Sequence, residues 1–281
     1  MAERPVFLFK KWRGSSPGAR VFLSAVIICG LVYLANVILS EIRPSNIWGL
    51  SYGTAAAILM VGTALLAMRR RMTRFALARG LGNARVWLQF HLYGGALFML
   101  LTFMHSGFHQ PQGILTWWLW FLSIYVTASG IIGVLLQKWI PKILTSGLAI
   151  EVVYERIPEL IREIREKANA LAQTCAEPVR DFYKNNVAFA LAAPQPRLIY
   201  CLDITGGIQS RLRRFEYVRR LLASDEKEKL NKLEAFYKTK LEIDAHYTLQ
   251  RILRWWLFTH VPVSLVLLIL LALHLFAVLY Y

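Results

Sequence analysis

Cysteine is scarce in this chain, and the motifs of several kinds of cofactor chemistry are missing. The three cysteines, Cys29, Cys175 and Cys201, are far apart and form no Cys-x-x-Cys pair. That spacing excludes a recognisable cysteine zinc site or cysteine-ligated iron–sulfur cluster. The chain also has neither a Gly-x-Gly-x-x-Gly fingerprint nor a phosphate-binding loop. If it takes part in redox chemistry, it does so without a recognisable nucleotide-binding motif of its own.

Polar residues are too few for an ordinary soluble domain, since 56% of the 281 residues are hydrophobic and the mean hydropathy is +0.42. Five runs have the about 20 apolar residues that cross a hydrocarbon core of roughly 30 Å. They are residues 21–40, 49–68, 87–106, 115–137 and 257–280. The first run is too long for a signal peptide and lacks a cleavage site, so we expect it to stay in the chain. The sequence predicts an all-α integral membrane bundle of five transmembrane helices.

Acidic residues are also few, with 17 Asp and Glu against 33 Lys and Arg and a formal net charge of +16. Every Lys and Arg except Arg43 lies in residues 1–20, 69–86 or 138–256. Basic residues collect on the cytoplasmic side of membrane proteins, so these three segments are predicted to be cytoplasmic. The positive charge then follows from topology and from attraction to anionic membrane lipid. We expect no nucleic-acid partner, because no nucleic-acid-binding motif is present.

This topology divides the chain into four parts. A cytoplasmic N-terminus (1–20) precedes transmembrane helices one to four (21–137), a mostly helical cytoplasmic insert (138–256) and the fifth transmembrane helix (257–281). The C-terminus is then periplasmic, and a bacterial inner membrane is the expected location.

The insert has helical patterning at both of its ends. Apolar and charged residues alternate at helical spacing over 157–172, where Pro158 marks the helix start. Residues 185–209 are rich in turn-forming residues and have room for a short β-hairpin. Two more helices follow, divided at Ser224, which is a suitable cap for the second one. That second helix continues without a breaker into the fifth span. We expect the insert to dock a partner subunit; a simple spacer is the alternative.

Histidines at matched intervals carry the functional prediction. His91 and His105 lie 14 residues apart at the two ends of the third span, and His260 and His274 repeat that interval in the fifth. Fourteen helical residues make nearly four turns and rise about 21 Å, so both histidines of a helix point the same way at different depths. The two spans run in the same direction, which pairs His91 with His260 at the inner level and His105 with His274 at the outer level.

Two such imidazole pairs are what two stacked b-type haems need, with each iron held axially by one histidine from each helix. Gly94 and Gly95, one turn beyond His91, would let a porphyrin approach the third helix, or let another helix pack there. Three arginines at the predicted inner mouth would neutralise haem propionates, or simply anchor the chain on the positive side. They are Arg85, Arg251 and Arg254.

Two further histidines lie outside these pairs. His109 follows His105 by four residues, which would put it on the same helical face, as a quinone or propionate contact or as an ordinary interfacial histidine. His246 precedes His260 by 14, but Leu77 occupies the corresponding position before His91. We therefore interpret His246 as a surface histidine or as a proton donor near an inner quinone pocket, and not as a third haem ligand.

The two histidine pairs resemble those of the transmembrane di-haem cytochrome b proteins. The use of the third and fifth spans is similar to the ferric-reductase-like transmembrane domains, whereas respiratory quinol-oxidising cytochromes b use the second and fourth. The resemblance covers roughly residues 20–137 and 257–281, and it implies that the four histidines are axial ligands of two haems b. The Pro-Glu-Trp-Tyr motif of quinol oxidation is missing from the chain.

The resemblance implies electron transport rather than a complete enzyme. The expected function is that of a haem-containing cytochrome b subunit of a respiratory oxidoreductase complex, carrying electrons across the membrane. Its partners would be quinone and other subunits, including a cytoplasmic or periplasmic electron-transfer protein. The alternative is a stand-alone transmembrane haem reductase that passes cytoplasmic electrons to an external acceptor such as ferric iron. A third hypothesis is a haem-free transporter whose histidines relay protons.

Overall fold

Long helices dominate the structure, a computed structural model that describes residues 17–71, 83–147 and 152–280. No strand occurs within these ranges, so the prediction of an all-α fold is confirmed. The helices are α1 (Pro17–Leu39), α2 (Ile47–Arg71), α3 (Ala84–His105), α4 (Ile114–Gly147), α5 (Ile157–Gln173), α6 (Glu177–Phe182), α7 (Ile199–Leu202), α8 (Ile204–Arg219) and α9 (Ser224–Tyr280). A 3₁₀ turn (Tyr154–Arg156) precedes α5, and a π-helical turn (Tyr183–Val187) follows α6.

Five of these helices, α1 to α4 and α9, are long and apolar enough to cross a membrane. Each corresponds to one of the five predicted spans, with ends that differ by a few residues, except that α4 continues to Gly147 and α9 begins far ahead of its apolar part. Many of their large apolar side chains are exposed on the protein surface, where lipid would cover them. The chain is therefore a multi-pass membrane protein. Most of the predicted N-terminal segment 1–20, and residues 72–82 of the basic connection, lie outside the described residues.

The chain divides into two compact units, of which the first comprises Met1–Gly130 and His260–Tyr281. In its described part, the most extensive helix pairing is between α2 and α3. An apolar core of side chains from α2, α3 and α9 holds this unit together, with Tyr52, Met60, Phe98, Leu101 and Leu267 among its buried members. All four histidines of the third and fifth spans belong to this unit.

The second unit, Ile131–Thr259, contains the predicted insert. Helix α5 coincides with the helix predicted over 157–172 and carries a proline in its first turn. Helix α9 begins at the predicted division, but Ser224 is its first residue and not a cap that precedes it. The chain is helical without a break from Ser224 to Tyr280, which confirms that the last helix of the insert continues into the fifth span.

The prediction of a β-hairpin in residues 185–209 is wrong. Residues 185–209 contain a π-helical turn, the short helix α7 and the start of α8, with no strand. The irregular segment around Pro194 and Pro196 is held by α9 and not by a partner strand. The backbone N–H of Gln195 donates to the Asp244 carboxylate (2.9 Å), and that of Arg197 donates to the Thr248 hydroxyl (3.0 Å). These side-chain acceptors take the place of a β-ladder.

Candidate functional site

The four histidines of the third and fifth spans meet as two pairs. The ring centroids of His91 and His260 are 6.4 Å apart with an interplanar angle of 72°. Those of His105 and His274 are also 6.4 Å apart, at 76°. The structure thus brings together the two pairs that the sequence intervals predict, with nearly the same geometry in each.

This separation suits two imidazoles on opposite sides of one metal ion. Two metal–nitrogen bonds of about 2 Å, with roughly 1 Å more from each nitrogen to its ring centre, place the centroids about 6 Å apart. If the histidine rings merely packed against each other, nothing would require the same centroid distance in both pairs. The spacing of each pair therefore fits one metal ion held between two imidazoles.

Helix α2 fixes the orientation of both histidines on α3. The Nδ1 atom of His91 is 3.1 Å from the carbonyl oxygen of Thr63, and Nδ1 of His105 is 2.8 Å from that of Gly49. A carbonyl oxygen can only accept, so each Nδ1 carries the hydrogen and donates it. The lone pair then resides on Nε2, the nitrogen that is left to bind a metal.

A side chain performs the same role for His260. Its Nδ1 is 2.7 Å from the Ser129 hydroxyl oxygen on α4, and that hydroxyl is also 3.0 Å from the carbonyl oxygen of Val126. Both Ser129 and His260 are buried, at 7% and 8% exposure. Helix α4 approaches closely here, because a Cβ on Gly130 would lie 3.7 Å from His260 Cε1.

Apolar side chains lie halfway between the two pairs. Phe98 is seven residues from both histidines of α3, and Leu267 is seven from both histidines of α9. Both are buried members of the apolar core of the first unit. Midway between the two pairs, these helices therefore contribute apolar packing.

Gly94 and Gly95, the two predicted contacts of a porphyrin, have different surroundings. A Cβ on Gly94 would lie 3.0 Å from Cγ2 of Thr63, so this residue lets α2 and α3 pack closely, as in the alternative interpretation. A Cβ on Gly95 would meet nothing within 4 Å, so open space borders this side of α3. Gly95 therefore remains a candidate for porphyrin contact.

The three predicted arginines have different surroundings. Arg85 is exposed in the first turn of α3, where its backbone N–H donates to the Asn83 cap. Arg251 lies near the Tyr247 hydroxyl, with 3.4 Å between Nη1 and the oxygen. Arg254 forms an ion pair with Glu155 and stacks over Tyr154, with its guanidinium carbon 3.9 Å from the ring centre. Glu155 thus already partly neutralises Arg254, while the role of all three toward propionates stays a prediction.

Two expectations about the remaining histidines need correction. Helix α3 ends at His105, and Gly107 and Phe108 both have φ of 60°, which turns the chain away from the helix. His109 is therefore an exposed loop residue and does not lie on the helical face of His105. His246 is only 3% exposed within the second unit, so its interpretation as a surface histidine is wrong. Leu77 lies outside the described residues.

The comparisons with known proteins give no match. No protein-family model, curated protein or solved structure matches the chain. Among the described residues, no group of three or more His, Cys, Asp or Glu side chains is arranged to hold a metal ion. Bis-imidazole haem ligation needs two protein side chains per iron, so the site rests on the geometry of the two pairs.

Four residues that support the histidines were not among those predicted from the sequence. These are Gly49, Gly53, Thr63 and Ser129. One signal was present, because Gly49 and Gly53 form a Gly-x-x-x-Gly pattern, which is typical of close helix approach in membranes. The carbonyl acceptors have no signature, since every residue has such an oxygen.

Proposed function

We propose that this chain is a di-haem b-type membrane cytochrome subunit that carries electrons across the membrane between a quinone pool and partner redox proteins. The observation that carries the proposal is the equal 6.4 Å spacing of two histidine pairs on the same two helices. The Nδ1 contacts of His91, His105 and His260 support it, because they leave Nε2 as the metal-binding atom in each.

The described residues would do three things at these sites. The imidazoles of each pair would hold one haem iron between them. The carbonyl and hydroxyl acceptors keep the rings in one tautomer and orientation, which limits reorganisation when the metal changes charge. Apolar packing between the two depths, at Phe98 and Leu267, keeps water out of the interior. Bound haem would supply one-electron oxidation and reduction at each depth.

The proposed orientation places the inner pair toward the cytoplasm of a bacterium and the outer pair toward the periplasm. The distribution of basic residues supports this direction. We propose that quinone reacts at one surface and that an electron-transfer protein docks at the other, with the insert contacting partner subunits. The insert has its own buried core, which is consistent with a docking domain and goes beyond what a spacer needs.

The deciding experiment is a reduced-minus-oxidised visible spectrum of the purified chain, with a pyridine haemochrome count per polypeptide. We expect two haems b. His91→Ala and His274→Ala should each remove one haem, because they leave a different pair incomplete. His109→Ala, which alters a histidine outside both pairs, should keep two. A correctly assembled protein without a visible chromophore would reject the proposal and leave the proton-relay hypothesis.

Purification separates the subunit from the stand-alone reductase. A subunit should retain other redox proteins when it is isolated from its native membrane in mild detergent. A stand-alone reductase should instead reduce an external acceptor such as ferric iron when it is given one soluble electron donor.

A further inference from the structure

We propose that Ser129 is a positioning residue that sets the reduction potential of the inner haem through its hydrogen bond with His260. This inference rests on the proposed function, because it assumes that His91 and His260 hold a haem. The spacing of the histidines does not predict this role for a side chain of α4.

Two contacts of the Ser129 hydroxyl indicate the direction of its hydrogen bond with His260. Its single hydrogen is donated to the carbonyl oxygen of Val126, 3.0 Å away, since that oxygen can only accept. The hydroxyl oxygen is then an acceptor toward Nδ1 of His260, at 2.7 Å. In this arrangement His260 carries its hydrogen on Nδ1, and Nε2 is the nitrogen left to bind a metal.

Burial makes this contact difficult to replace. Ser129 and His260 are 7% and 8% exposed, so water has little access to take over the role of the hydroxyl. The histidines of α3 use backbone carbonyl oxygens of α2 instead. Of these three Nδ1 contacts, the one of His260 is made by a side chain, so a substitution can remove it without changing the backbone.

The sign of the effect follows from charge. An acceptor at Nδ1 increases the electron density of the imidazole, which makes Nε2 a stronger donor to the metal. A stronger donor stabilises the ferric over the ferrous state and lowers the reduction potential. Loss of the acceptor should therefore raise the potential of the inner haem and leave the outer haem unchanged.

The test is a spectroelectrochemical titration of the purified full-length chain and its variants. For Ser129→Ala we expect the inner equilibrium to shift about tenfold toward the ferrous form, which is about 59 mV for a one-electron couple. Ser129→Thr keeps the hydroxyl and should restore the original potential. Ser123→Ala is the matched control, since Ser123 is another buried serine of α4. The same substitutions are also made in a His105→Ala chain, which retains the inner pair alone, so that the titration step of the inner haem can be identified.

The outcomes are distinguishable. No haem in the unaltered chain would overturn the proposed function, and with it the basis for a role of Ser129. Two haems with an unchanged inner potential in Ser129→Ala, or an equal shift in both haems, would overturn the role of Ser129 alone. If Ser129→Ala loses the inner haem, its potential cannot be measured, and the test is then whether Ser129→Thr keeps that haem. Retention of that haem at its original potential supports the proposal, and its loss rejects it.

Discussion

At the scale of single residues, His105 depends on the absence of a side chain at Gly53. A Cβ at this position of α2 would lie 2.7 Å from Nδ1 of His105, closer than two such atoms can approach. The same ring nitrogen donates to the carbonyl oxygen of Gly49, one turn earlier. The small residues of α2 thus allow a backbone hydrogen bond that a larger side chain would block.

We predict that Gly53→Ala removes the outer haem and keeps the inner one. The added methyl group must displace the ring of His105, which breaks its hydrogen bond and its alignment with His274. The haemochrome count should fall from two to one, and the inner potential should stay unchanged. Gly30→Ala is the matched control, because a Cβ there meets nothing within 4 Å. Two retained haems in Gly53→Ala would show that the His105 ring can adjust.

The histidine pairs could be predicted from the sequence because a regular helix converts an interval of 14 into a direction and a depth. Their hydrogen-bond partners could not be predicted, since carbonyl oxygens of Gly49 and Thr63 become specific acceptors only once α2 packs on α3. His109 was misplaced because helical spacing was extended past His105. The positive φ of Phe108, which non-glycine residues rarely adopt, gives no warning in the sequence.

At the scale of helices, α9 contains a buried ion pair whose carboxylate also binds the irregular segment before α7. Lys240 Nζ lies 2.6 Å from Asp244 Oδ2, and both side chains are fully buried. Burial raises the pKa of the Asp244 carboxyl and lowers the pKa of the Lys240 ammonium, because it opposes the charged form of each. The other oxygen of Asp244 accepts from the backbone of Gln195.

We predict that Asp244→Ala destabilises the insert by about 3–5 kcal/mol, since it leaves a buried ammonium without its partner. The double substitution Lys240→Met with Asp244→Leu should recover part of this loss, because apolar contacts replace the ion pair while the backbone N–H of Gln195 still lacks its acceptor. Thermal denaturation in detergent and protease sensitivity of the insert measure both effects. Glu163→Ala breaks the exposed pair with Lys167, which has the same spacing, and should change neither. Equal effects of Asp244→Ala and Glu163→Ala would refute this role of burial.

The long helices were predictable because about 20 consecutive apolar residues have no other stable form in lipid. The segment 185–209 was not, because its proline and glycine residues exclude long elements without choosing among short ones. Contacts with Asp244 and Thr248, about 50 residues later, decide its path. Such tertiary contacts have no local signature.

At the scale of the whole molecule, the predicted orientation can be tested on the full-length chain. We expect a membrane-impermeant maleimide to label Gln112→Cys in intact cells and Tyr217→Cys only after the membrane is opened. Both positions are exposed on the protein, so sidedness alone should decide the result. The unaltered chain gives the background from Cys29, Cys175 and Cys201, which are buried or half-buried. The reverse labelling pattern would invert the proposed direction of the inner and outer pairs.

The two-unit division has a counterpart in the sequence, where the composition changes from apolar to mixed and charged after the fourth span. What the sequence did not reveal is how completely the insert surrounds part of α9. Lys240, Asp244, His246 and Thr248 are all buried there, although their polarity is typical of a solvated face. Neighbouring helices and loops of the same unit bury these side chains. The pattern of charges along the sequence does not predict this burial.

The division of each histidine pair between α3 and α9 has a consequence for biosynthesis. Both inner and outer pairs take one member from each helix, and the entire insert is translated between the two. Neither pair can therefore form on a nascent chain that has reached only the fourth span. Under the proposed function, haem binding would therefore follow the translation of the insert and of the fifth span.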